Sequence, residues 1–174
     1  MTKYQKAIES LKKGKGLYIH QTIQNWNYKM ADRRHRANKD YSWFICQNKL
    51  IVCCHGAADK KIQLRNDVIV DVSWLIKKFK HLAARYNNKI YIDCCYGATK
   101  AIIKDGVEII PVNYSRMAVQ DSCWYCESIE DFLNFYKNIV KVFKIKTEIV
   151  EVPPQKEFDF ITAWTRLSQQ ENLL

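Results

Sequence analysis

Two stretches of the chain end on side chains that can do chemistry. The first is Lys49-Leu50-Ile51-Val52-Cys53-Cys54-His55-Gly56, and the second is Lys89-Ile90-Tyr91-Ile92-Asp93-Cys94-Cys95-Tyr96-Gly97. A cysteine attacks a carbonyl as its thiolate, and a free thiol with a pKa near 8.5 needs help to ionise at neutral pH. A neighbouring histidine supplies that help and later returns the proton to a leaving amine. The tetrahedral intermediate then needs N–H donors aimed at its oxygen. Gly56 and Gly97 each follow a reactive side chain closely, and glycine lets backbone approach a substrate. The chemistry these residues suit is acyl transfer at a thiol, with His55 as base and a cysteine of the 94–95 pair as nucleophile.

Such chemistry requires elements that bring residues 55 and 95 to one place. Each stretch is an apolar, β-branched run, the pattern of a buried strand in a parallel sheet. In open α/β sheets reactive groups gather beyond the carboxyl ends of the strands. Between them, residues 62–64 and 68–70 read as a hairpin around Arg65-Asn66-Asp67. Asp71 or Ser73 can then start a helix. In it Val72, Leu75, Ile76, Phe79, Ala83 and Tyr86 recur at helical spacing, so it serves as the crossover that a parallel pair needs. If Cys95 points outward at a strand tip, Cys94 faces the opposite side. Cys46, Cys53, Cys54 and Cys94 suit burial as small apolar side chains.

The remaining elements follow the same logic. Residues 2–13 form an amphipathic helix ended by Gly14. Strands are expected from Gly16, over Tyr41–Cys46, over Val107–Val112 and over Ile149–Val152. Residues 98–104 read as a short helix stopped by Asp105-Gly106, and its N-terminus would favour an anion at residue 95. Met117–Cys126 reads as irregular. Ser128 opens a helix with an apolar stripe from Ile129 to Phe143, Asp131 standing three residues on. Pro153-Pro154 marks a break, and residues 158–167 form a further amphipathic helix. The expected fold is α/β with a mostly parallel central sheet and right-handed crossovers. Residues 1–152 make up the domain, and residues 153–174 a helical extension.

An apolar strand ending in His-Gly, followed one crossover later by a strand ending in Asp-X-Cys-X-Gly, resembles the caspase-like cysteine peptidases of clan CD. Ile92-Asp93-Cys94-Cys95-Tyr96-Gly97 is similar to the metacaspase motif Asp-Cys-Cys-His-Ser-Gly, with Tyr96-Gly97 where that motif has His-Ser-Gly. His55 and Cys95 lie 40 positions apart. The resemblance implies a three-layer fold with helices on both faces, and a His55–Cys95 dyad acting as an endopeptidase. It implies an oxyanion hole formed by the N–H groups of Gly56 and Cys95. It also implies that Asp93 contacts a basic P1 side chain. The partner is then a protein or peptide substrate, and no cofactor or metal is expected.

Composition leaves room for other readings. The 174 residues carry a formal charge of +10 and are 48% apolar, ample for a core. Residues 29–39 are basic and flanked by aromatics, which suits single-stranded nucleic acid; a solvated loop has the same composition. The alternative function is thus an inert caspase-like fold that binds nucleic acid or another protein through its basic surface. Cys123-X-X-Cys126 can supply half a zinc site with His55 or Cys95, or a redox pair. No second CxxC accompanies it. No apolar run reaches membrane-spanning length and no signal-peptide pattern opens the chain. A cytoplasmic protein is therefore expected, its seven cysteines reduced.

Overall fold

The computed structural model describes residues 1–21, 33–34, 41–64, 67–117, 123–143 and 147–153. The expected 158–167 helix and most of the 29–39 basic stretch lie outside the described residues.

The chain opens with helix α1 (Lys3–Lys12). Thr2 caps it reciprocally: its hydroxyl accepts from the Gln5 N–H, and the Gln5 side chain accepts from the Thr2 N–H. Gly14, at φ +79°, ends it in the left-handed region. The strands follow as β1 (Gly16–Gln21), β2 (Arg33–Arg34), β3 (Tyr41–Cys46), β4 (Lys49–Gly56), β5 (Lys61–Gln63) and β6 (Ile69–Asp71). Helix α2 (Ser73–Ala83) comes next, its first N–H received by the Asp71 carboxylate at 2.9 Å. Then come β7 (Lys89–Asp93), β8 (Ile102–Lys104), β9 (Val107–Pro111) and β10 (Cys123–Cys126). Helix α3 (Ile129–Phe135) runs on through a π-helical turn, Tyr136–Val140, to Lys141–Phe143. Strand β11 (Thr147–Val152) is the last described element.

The central sheet runs β2-β3-β4-β7-β9-β8, with β5 and β6 attached at the end of β4. Its heart is parallel: β4 pairs with β7 and β7 with β9. Everything around that heart is antiparallel, including β2–β3, β3–β4, β4–β5, β5–β6 and β8–β9. The fold is α/β as expected, but the sheet is mixed, not mostly parallel. The reason is local. Gln47 and Asn48 both sit at positive φ, the backbone of a tight hairpin turn, so the run before them folds straight back onto β4.

A second correction concerns residues 98–104. They form no helix. A single 3-10 turn over Gly97–Lys100 leads into the edge strand β8, which hairpins into β9 through Asp105-Gly106. Ile102 and Ile103 are β-branched, and Asp-Gly is a preferred two-residue hairpin turn, so strand wins over helix. A third correction is that β1, β10 and β11 make a separate antiparallel sheet, ordered β10-β1-β11. The irregular stretch expected over 117–126 therefore contains strand β10, in which Tyr125 pairs with Tyr18.

Two cores lie on opposite faces of the central sheet. One gathers Leu50, Val52, Ile90, Ile92 and Ile109 under Leu75, Ile76, Phe79 and Ala83 of α2. The other gathers Phe44, Ile51, Tyr91 and Ile110 with Leu11 of α1, Phe132 and Phe135 of α3, and Leu17, Ile19 and Trp124 of the second sheet. Strand alternation assigns each residue to its face. Helices thus cover both faces. No helix among the described residues is long and apolar enough to cross a membrane.

Candidate active site

Strands β4 and β7 lie side by side and parallel, with Cys53 in register with Asp93. Two residues further along each chain stand His55 and Cys95. Strand β7 ends at Asp93, and the turn past it brings the Cys95 carbonyl against Gly56. His55 is exposed near the tip of β4. Ile51 and Cys53 face the larger core, as do Tyr91 and the Cys53–Asp93 contact; alternation carries residue 55 to that same face. Cys95 is half-buried in the turn just beyond β7, where Tyr96 takes the left-handed conformation at φ +55°.

The two glycines have a packing role. A Cβ on Gly56 would overlap the carbonyl oxygen of Cys95, and one on Gly97 would overlap the carbonyl oxygen of Asn113. The backbone beside His55 therefore rests directly on the backbone of Cys95. Ala57 N–H donates to the Lys61 carbonyl on the β5 side. Donors alternate along a strand, so the N–H of Gly56 lies on the β7 side, toward the Cys95 turn.

The neighbouring thiols divide clearly. Cys94 is buried in the α2-side core. A hydrogen bond with Cys54, then burial, holds its thiol well above the usual range. Asp93 closes β7 half-buried, with the Cys53 sulfur 3.9 Å from its Oδ2. Cys126 sits fully buried in the larger core, and burial pushes its thiol far up; this suits neither ready metal ligation nor redox exchange. Among the described residues, no group of three or more His, Cys, Asp or Glu is arranged to hold a metal ion. Cys46, Cys53, Cys54, Cys94, Cys95 and Cys126 are free of disulfides. Since no helix follows Gly97, the anion-favouring helix N-terminus expected beside residue 95 does not exist.

Several residues that shape this region carry no sequence signal. Asn113, Ser115 and Lys100 are buried polar groups. Asn113 Nδ2 donates to the Cys94 carbonyl at 2.9 Å, and its Oδ1 accepts from Ser115 N–H at 2.8 Å. Tyr96 N–H donates to the Met117 carbonyl, and Ala98 N–H to that of Ser115. The segment after β9 thus forms a backing for the Cys95 turn. It is anchored in turn by Arg116, whose guanidinium makes a two-pronged pair with buried Asp131 at 3.0 and 3.1 Å. Asp131 N–H donates to the capping Ser128 hydroxyl at 3.1 Å, so the turn is tied to the start of α3. A polar tetrad after an apolar strand, Asn113-Tyr114-Ser115-Arg116, is the only pattern that could have flagged this backing.

No family model, curated protein or solved structure matches the chain.

Proposed function

We propose that the chain is a cysteine endopeptidase working through a His55–Cys95 dyad. The supporting observation is the close backbone approach of Gly56 to Cys95, at the adjoining ends of two parallel strands in register. In this reading His55 takes the proton from the Cys95 thiol, and the sulfur attacks the peptide carbonyl carbon. The N–H groups of Gly56 and Cys95 receive the developing oxyanion. As the C–N bond breaks, His55 gives its proton to the leaving amine and a thioester remains. Water, deprotonated by His55, then hydrolyses it. Asp93, on the same face, receives a basic P1 side chain.

The test is cleavage of a diverse peptide library by wild type and by Cys95→Ala, Cys94→Ala and Asp93→Asn. Cys95→Ala should lower turnover by ~10³-fold or more. Cys94→Ala should retain cleavage, and Asp93→Asn should lose preference for Lys or Arg at P1. Cleavage that survives loss of Cys95 but not of Cys94 overturns the assignment.

A second reading is favoured by the outer face of α2. Lys77, Lys78, Lys80 and His81 are exposed there, on a helix with no acidic residue, and exposed Arg85 follows in the turn beyond it. In this reading the protein binds single-stranded nucleic acid through that basic surface. Affinity for an oligonucleotide that falls steeply with salt, and falls further in Lys77→Glu/Lys78→Glu, would favour it.

A further inference from the structure

Lys100 is a buried lysine with no carboxylate among its hydrogen-bond partners. Its side chain is wholly enclosed. Its ammonium donates to the Ala57 carbonyl at 2.7 Å, to the Asp59 carbonyl, and to the Thr99 hydroxyl at 3.1 Å. An ammonium has three N–H donors, and these three oxygens use all of them. The nitrogen also lies 5.8 Å from the centre of the Tyr96 ring. Thr99 extends the contact, with its hydroxyl 2.7 Å from the Tyr96 carbonyl and 2.5 Å from that of Asp59. From outside, Lys60 closes the same pair of loops by donating to the Thr99 and Ala101 carbonyls at 2.8 and 3.0 Å.

The placement of these oxygens is telling. Ala57 and Asp59 belong to the loop that leaves His55-Gly56. Tyr96 and Thr99 belong to the turn that leaves Cys95. An apolar side chain would fill the site without the cost of desolvating a charge. It could not grip one loop from the other. Burial lowers the basicity of the amine, which is the mark of that cost.

We infer that Lys100 is a positioning residue that clamps the 57–60 loop to the 96–101 turn and so sets His55 against Cys95. This rests on the dyad proposed above and adds the residue that keeps its two halves in register. Lys100 touches no substrate; it acts through the loops.

The experiment is a double-mutant cycle on the rate at which iodoacetamide alkylates Cys95 near neutral pH. It compares wild type, His55→Ala, Lys100→Met and the double variant. Amide exchange of residues 57–60 and 96–101 is followed in parallel by mass spectrometry. Leu11→Ala, which removes a buried α1 side chain from the larger core, shows what lost stability alone does. In wild type, His55→Ala should slow alkylation by about tenfold or more. In Lys100→Met, adding His55→Ala should change the rate by less than about twofold. Exchange should quicken in the two loops of Lys100→Met and not selectively in Leu11→Ala. If His55→Ala slows alkylation equally with and without Lys100, or if the loops exchange as in wild type, the assignment of Lys100 is overturned while the dyad stands. If His55→Ala leaves wild-type alkylation unchanged, the dyad itself fails and the positioning role with it.

Discussion

Cys94 and Cys95 are neighbours in the chain, yet their surroundings differ. Cys94 sits in the α2-side core, where its bond to Cys54 and its burial disfavour the thiolate. Cys95 stands half-buried at the turn beyond the strand. Brief alkylation at neutral pH should therefore label Cys95 about tenfold or more faster than Cys94, read by peptide mass mapping. Gly56 offers a second check. Its Cα faces the Cys95 carbonyl so closely that a methyl group cannot fit. Gly56→Ala should cost ~1–3 kcal/mol of stability, the usual penalty of overpacking. Urea denaturation measures that, and Cys95 reactivity should change as its turn is displaced. Glycine at 56 is visible in the sequence; the structure adds that its missing side chain lets two backbones meet.

Elements were legible wherever their periodicity reported one buried face. Helix α1, helix α2, the stripe of α3 and strands β4, β7 and β9 stand where the pattern put them. The Ser128 cap is present, its hydroxyl accepting from Asp131 N–H. Strands β8 and β10 were not legible. Each is short, with three and four residues, and exists because a neighbour offers an edge: β9 for one, β1 for the other. No spacing rule reports a partner elsewhere in the chain. The same holds for the tie between Arg116 and Asp131. The carboxylate is nearly enclosed, with 7% of its side-chain surface exposed, while the guanidinium is half exposed. Removing the cation leaves a buried carboxylate that keeps only the remainder of its bonding. Arg116→Ala should cost ~1–3 kcal/mol in chemical denaturation. It should also loosen the Cys95 turn, whose Tyr96 N–H is held by Met117.

Among the described residues, several acids are buried uncharged, and each favours the folded state until it ionises. Burial pushes the phenols of Tyr114 and Tyr125 up from 10.0 to about 12. Burial also raises Tyr91 and Cys126. The folded chain keeps protons that the unfolded chain releases, so stability is intact below about pH 9, where the unfolded thiols begin to ionise, and declines as pH climbs toward 12. Lys100 works in the opposite sense, because burial lowers its pKa from 10.5; one group of that kind does not offset the raised phenols and thiols. The urea midpoint should therefore drop across this range, and tyrosinate absorbance from these residues should appear together with unfolding, not before it.

The order of apolar and polar residues determined by itself that two strands would end at His55-Gly56 and at Asp93, just before Cys94-Cys95, with a helix crossing between them. It did so because burial on one face writes a period into the chain, and a period is local. Which strands run parallel, which edge strands join them, and which buried lysine grips both loops were decided only by the tertiary structure. Those depend on groups distant in sequence meeting across space: Lys100 on Ala57 and Asp59, Arg116 on Asp131, Gly56 on Cys95. A lysine in a turn has the same appearance in a sequence whether water or three carbonyl and hydroxyl oxygens surround it, and only the packed fold supplies the difference.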